Sequence, residues 1–151
     1  MKKYFLILIV IFGFYDFGFT NLKETQKWLE KHRKYYSIKQ LKKLEVLKFA
    51  SYSSSYVELK NIALISHLKN LRKLELIGTK VTDLAPLQNL KNLEILSLTS
   101  TKIKEINSLS KLKKLKRLAI SDTNVKDLSP LNKLKNLETL FLSHLFWIKD
   151  K

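Results

Sequence analysis

The sequence predicts an α/β solenoid: a short horseshoe with a parallel sheet on its concave side, 3-10 turns on its convex side and an N-terminal helical cap. Three observations lead there. First, "LRKLELIGTKVTDLAPLQNLKN" (71–92), "LEILSLTSTKIKEINSLSKLKK" (93–114) and "LKRLAISDTNVKDLSPLNKLKN" (115–136) follow one another in register with a period of 22 residues, and repeats of that length signal stacked coils. Second, the apolar spacing inside each copy switches from two to three. Third, residues 21–37 stand outside the repeat and carry an amphipathic stripe of their own.

The elements follow in chain order. Lys2 and Lys3 precede an apolar run from Tyr4 to Tyr15, closed by Asp16, which is the layout of an export signal. As a helix that run covers about 18 Å, short of a hydrocarbon layer of about 30 Å. Residues 1–20 are therefore expected to be a signal peptide or signal anchor, giving a secreted or cell-envelope protein. The best small pair before a cut is Gly18 and Thr20, a poor site, so an uncleaved anchor and a buried cytosolic segment stay open beside a cleaved signal.

Residues 21–37 are expected to form the cap. Asn21 and Glu24 have capping-box spacing, and Leu22, Trp28, Leu29, His32, Tyr35 and Tyr36 make one apolar stripe to lay over the first open coil.

Residues 38–142 are the repeats. In the copy at 71–92, Leu74 and Leu76 have the period of a half-buried strand, whereas Val81, Leu84, Leu87 and Leu90 step by three, as a 3-10 turn requires. Asp83 and Asp127 stand before that step as caps, with Pro86 and Pro130 where a missing N–H costs least. One such coil cannot offset the entropy of ordering itself; neighbours that cover both of its open faces can. The frame runs backward through "LKNIALISHLKN" (59–70) and "LEVLKF" (44–49). That coil has 27 residues, its five extra ones in Ser51–Tyr56, and Ile38, Leu41 and Leu44 echo Leu131, Leu134 and Leu137 before it. At the other end Leu137, Leu140 and Leu142 start a coil that "SHLFWIKDK" does not finish in register. Residues 143–151 are expected to be irregular, with Leu145, Phe146, Trp147 and Ile148 either covering the last coil or driving self-association through it.

The pattern L-x-x-L-x-L, then T-x-[VI]-x-[DE]-[LI]-x-P-L-x-x-L-x-N, resembles the leucine-rich repeat in its 22-residue form, as in bacterial internalins and eukaryotic phosphatase-regulating subunits. Two departures stand out. Thr79, Thr101 and Thr123 occupy the place where many such repeats carry a ladder-forming Asn, and neither a C-terminal cap nor a cell-wall sorting motif follows Leu142. The resemblance implies a non-catalytic module whose concave face binds an unidentified protein partner. On each strand that face would present Val46, Lys48 and Ala50; Lys73, Glu75 and Ile77; Ile95, Ser97 and Thr99; Arg117, Ala119 and Ser121; and Thr139, Phe141 and Ser143.

Composition narrows the remaining classes. Apolar residues make up 45% of the chain and charged residues 28%, a globular balance rather than a disordered one. The absence of Cys removes disulfides, a thiol nucleophile and thiolate metal sites, and with them the cysteine-dependent catalytic domain of bacterial ubiquitin ligases that carry such repeats. His32, His67 and His144 have no ligand spacing, and neither a phosphate-binding glycine loop nor a hydrolase motif occurs. An enzyme, a cofactor and a metal are not expected; His32 is expected in the cap's packing and His67 on the surface. The net charge of +16 favours anionic partners. Lys69, Lys91, Lys113 and Lys135 share one repeat position and so form a flank that could bind an anionic surface of lipid, lipopolysaccharide or glycan. No aromatic residues interleave with them, so nucleic acid is not expected. A cytosolic regulatory subunit is the third reading.

Overall fold

The computed structural model describes residues 20–32, 34–50 and 58–143. The segment before Thr20 that was expected to direct export, the insertion at Ser51–Tyr56, His144 and the tail residues Leu145–Ile148 lie outside the described residues. Helix α1 (Thr20–Lys31) and the short α2 (Ile38–Leu41) precede β1 (Val46–Lys48), β2 (Lys73–Glu75), β3 (Ile95–Ser97), β4 (Arg117–Ala119) and β5 (Thr139–Phe141). The strands form one parallel sheet in sequence order. Four 3-10 turns, Ala63–His67, Ala85–Asn89, Asn107–Lys111 and Ser129–Lys133, return the chain between them.

The register follows the repeat. Leu47 pairs with Leu74, Leu74 with Leu96, Leu96 with Leu118 and Leu118 with Leu140. The first of these steps is the 27-residue coil and the others are the 22-residue ones. The step of three inside each return is written in hydrogen bonds. Leu87 N donates to Leu84 O at 2.9 Å, Leu90 N to Leu87 O at 2.9 Å and Leu93 N to Leu90 O at 3.0 Å. Every third residue thus turns inward, and Leu84, Leu87, Leu90 and Leu93 are all buried. The turns close onto the next strand at Leu68, Leu90, Leu112 and Leu134, whose φ near −90° and ψ near 70° are those of an inverse γ-turn.

Asp83 and Asp127 do cap, from one residue further out than a conventional N-cap. Each Oδ1 accepts the amide two residues on, Ala85 N and Ser129 N, at 2.8 Å. Asn61, at the same repeat position, does likewise to Ala63 N at 2.8 Å.

Immediately after the strands, Gly78, Ser100 and Asp122 share one repeat position and all have positive φ, of 62°, 56° and 53°. Each points its N–H across to the following coil, at Thr99 O, Ser121 O and Ser143 O. Glycine takes this conformation freely, whereas Ser100 and Asp122 do so at a steric cost.

The threonines that stand in place of the ladder-forming asparagine make no ladder between coils. Thr79, Thr101 and Thr123 are buried, but each hydroxyl donates back within its own coil, to Leu76 O, Leu98 O and Ile120 O at 2.7–2.8 Å. The bonds between coils come instead from the asparagines that end the "LKN" triplets. Asn92 Nδ2 donates to Lys69 O at 3.0 Å and Asn136 Nδ2 to Lys113 O at 2.7 Å, and Asn70 reaches Lys42 O in the same way. Where this position is Lys114, its ammonium donates to Asn92 Oδ1 at 2.8 Å instead.

The cap is built largely as expected. Leu22 and Leu29 are buried, Trp28 and Tyr36 pack on the core, and α1 lies against the first 3-10 turn. Thr25, fully buried, donates to Leu64 O at 3.3 Å. Two details differ. The helix already includes Asn21, so Asn21 is not its N-cap; the capping box is instead at α2, where Ser37 N meets Gln40 Oε1 at 2.7 Å and Gln40 N meets Ser37 Oγ at 3.3 Å. Tyr35 is 75% exposed, because the helix ends at Lys31 and its stripe ends there too. His32 packs against both Trp28 and Phe49, with ring centroids 4.7 Å and 5.9 Å away. Its Nδ1 lies 2.7 Å from Trp28 O; a carbonyl only accepts, so Nδ1 carries the proton and the ring is structural.

Candidate functional site

The concave sheet sets its outward residues in rows. At the start of each strand stand Val46, Lys73, Ile95, Arg117 and Thr139, and at its end Lys48, Glu75, Ser97, Ala119 and Phe141, each beside its register partner. Phe141 is 55% and Val46 43% exposed. Lys48 and Arg117 are also exposed, while Lys73, Ile77, Ile95, Ser97, Thr99, Ala119 and Thr139 are half-buried by their neighbours. The middle of the face carries the small residues Ser97 and Ala119, with Glu75 to one side and Phe141 to the other.

Two of the expected contact residues are not open to a partner. Glu75 is buried, held by Lys73 Nζ at 2.8 Å and Lys48 Nζ at 3.4 Å. Burial opposes its charge, but the hydrogen bonds and charges of Lys73 and Lys48 outweigh that and hold the carboxyl below its usual range. Ser121 is also buried, where its Oγ accepts Ser143 N at 3.0 Å. The alternation continued from the strands points both outward; Lys48 and Lys73 reach over Glu75, and Ser121 lies beyond β4 against the turn at Ser143.

Along the edge where each return meets its strand, Glu45, Arg72, Glu94, Lys116 and Glu138 share one repeat position and alternate in sign. Arg72 donates to Glu94 Oε1 from Nε at 2.9 Å, and its Nη1 lies 4.0 Å from Glu45 Oε2; Lys116 Nζ lies 3.5 Å from Glu94 Oε2. The Arg72 guanidinium beside Glu94 holds that carboxyl below its ordinary range. Beside this column lies a shallow polar groove of about 410 Å³ lined by Lys43, Asn70, Asn92 and Lys114 as well as Glu45, Arg72 and Glu94. The four lysines of the expected flank, Lys69, Lys91, Lys113 and Lys135, are all exposed, and His67 at its convex border is half-buried.

Among the described residues no cluster of His, Asp and Glu is arranged to hold a metal ion, and no helix is long and apolar enough to cross a membrane.

The sequence profile described as "Leucine Rich repeats (2 copies)" matches residues 69–111. Among solved structures, an internalin (inlF) of Listeria monocytogenes superposes with a TM-score of 0.67 at 28% identity, covering 82% of this chain and 36% of its own. The chain carries leucine-rich repeats and is similar in fold to the bacterial internalins. A second Listeria monocytogenes internalin, C2, gives a TM-score of 0.52 at 35% identity over 57% of this chain and 38% of its own. An LRR protein of Leptospira interrogans gives 0.58 at 28% over 70% and 27%. This repeat protein thus spans well under half the length of those neighbours. No curated protein sequence matches it.

Proposed function

We propose that this leucine-rich-repeat chain is an exported, non-catalytic interaction module that holds a protein partner on its concave sheet. The observation that carries the reading is the exposure of Phe141 and Val46 on one sheet face, in the same rows as half-buried Ile95 and the small Ser97 and Ala119. Apolar side chains that face outward on a single sheet surface favour contact with another protein. Lys48 and Arg117 at its border favour a partner with an acidic rim. The internalin-like fold supports the module, and the Lys2/Lys3 and Tyr4–Tyr15 pattern supports export.

The test is recovery of a partner from envelope and host extracts at two salt concentrations, followed by affinity measurement on variants. Ile95→Asp with Phe141→Asp should weaken the partner's affinity by about 1.4 kcal/mol or more, a factor of about ten, with the melting temperature kept. A larger loss from Lys91→Glu, Lys113→Glu and Lys135→Glu would move the binding site off the sheet. The mass of the chain recovered from the envelope reads whether residues 1–20 were removed, and a full-length chain confined to the cytosol would overturn export.

A further inference from the structure

Two columns of side chains run along the same edge of the solenoid, and they are charged by opposite rules. One is Glu45, Arg72, Glu94, Lys116 and Glu138, alternating in sign from coil to coil. The other, three residues earlier in each coil, is Lys42, Lys69, Lys91, Lys113 and Lys135, every one cationic and every one exposed. At a coil spacing of about 4.8 Å, neighbouring ammonium groups repel one another. Alternation three residues away shows that acids fit this edge.

The fold does not ask for lysine in the second column. What the stacked coils take from that position is the backbone carbonyl: Lys42 O, Lys69 O and Lys113 O accept the side-chain amides of Asn70, Asn92 and Asn136. Among the described residues, none of Lys69, Lys91, Lys113 and Lys135 meets a carboxylate within 4.0 Å. Lys113 Nζ donates to Lys133 O at 2.8 Å, which leaves its charge uncancelled and turns the head toward the next coil.

We propose that this column is a binding site for a linear anionic polysaccharide, which lies along the solenoid axis with its carboxylate or sulfate groups on Lys69, Lys91, Lys113 and Lys135. The charges stand in single file, which suits a chain; a membrane surface calls for a plane of charge with apolar side chains to insert. A single-stranded nucleic acid calls for stacking platforms, but the described aromatics Trp28, Tyr35, Tyr36 and Phe49 lie in the cap segment or pack against it, and Phe141 lies on the concave sheet, so none interleaves with the column. Beside the column, the groove lined by Asn70, Arg72, Asn92 and Glu94 offers planar amide, guanidinium and carboxylate groups, which hydrogen-bond the hydroxyls of sugar rings.

The test uses the full chain with heparin oligosaccharides of graded length, phosphatidylserine vesicles and single-stranded DNA as probes. One variant carries Lys69→Gln, Lys91→Gln, Lys113→Gln and Lys135→Gln. A control of equal net charge carries Lys23→Gln, Lys27→Gln, Lys104→Gln and Lys126→Gln, all exposed and off the column. The column variant should lose about tenfold or more in heparin affinity and the control under about twofold. Four Lys→Arg substitutions in the column should keep the affinity, and it should rise with glycan length until the column is spanned. Equal losses in the two glutamine variants, an affinity independent of length, or tighter binding of vesicles or DNA than of heparin would overturn the proposal. Ile95→Asp with Phe141→Asp should leave heparin binding unchanged, so failure of the concave-sheet reading is distinguishable from failure of this one.

Discussion

Arg72 and Glu94, twenty-two residues apart in sequence, lie side by side on adjacent coils, with Arg72 Nη2 2.8 Å and Nε 2.9 Å from the same Glu94 oxygen. The pair is the centre of the alternating column, with Glu45 on one side and Lys116 on the other. A repeat protein stacks each side chain on its own kind, so a charged position left unvaried would repel itself at every coil. Alternation turns that repulsion into attraction.

Reversing the charge of Arg72 should expose this. Arg72→Glu would set three carboxylates in consecutive coils, so the melting temperature should fall. Screening weakens repulsion between exposed charges, so the fall should be largest at low ionic strength and mostly recovered in molar salt. A deficit independent of salt would mean that Arg72 stabilises through packing of its stem.

Glu75 gives a pH-dependent counterpart. Its folded pKa is depressed by Lys73 and Lys48, so its contribution to stability is present above its unfolded pKa and lost as pH falls through the folded value. Glu75→Gln should therefore destabilise by about 1 kcal/mol at neutral pH, and the gap to the wild type should close on acidification below the ordinary carboxylate range. Thermal unfolding of both proteins across that range checks it. A gap constant with pH would place the effect in side-chain shape rather than charge.

The buried threonines make a third test. Thr101→Val keeps the shape but removes the donor to Leu98 O, and should cost about 1 kcal/mol in denaturant unfolding. Asn92→Ala removes a bond between coils instead, so it should loosen hydrogen-exchange protection on both sides of the junction between the coils that begin at Leu44 and Leu71. If Thr101→Val disturbed protection in neighbouring coils as strongly as Asn92→Ala, the division of labour between the two positions would be wrong.

Where the fold was legible, it was legible through spacing. Leu74, Leu96, Leu118 and Leu140 recur at the period, and the sheet register follows from them. What spacing hid was the environment between coils. Asn92 and Asn136 are plain in the letters, yet their amides acquire a role only when the preceding coil's carbonyl is set beside them. The alternating column vanishes if Glu45, Glu94 and Glu138 are counted as scattered acids; it appears when they are laid on the repeat frame with Arg72 and Lys116. Glu75 and Ser121 follow the outward alternation of a strand, but their burial depends on the reach of Lys48 and Lys73 and on the following turn at Ser143. Tyr35 was assigned to the cap's stripe by a helical period that the chain abandons after Lys31.

The last described coil differs from the others in what covers it. The central leucines Leu47, Leu74, Leu96 and Leu118 are at most 1% exposed, whereas Leu140 is 37% exposed on β5, which has a strand partner on one side only among the described residues. Burial sets the cost of truncating a side chain, so Leu118→Ala should cost about 3 kcal/mol, while Leu140→Ala should cost less than about half of that. Leu140 on the core side and Phe141 on the concave side are both exposed on a strand edge that is open among the described residues, and apolar side chains at such an edge favour association. Removing residues 145–151, with their apolar Leu145–Ile148, should therefore lower the melting temperature or raise the oligomeric mass in sedimentation. If truncation changed neither quantity and Leu140→Ala cost as much as Leu118→Ala, β5 would be covered by something other than that segment, and Leu140 would be a core residue in solution.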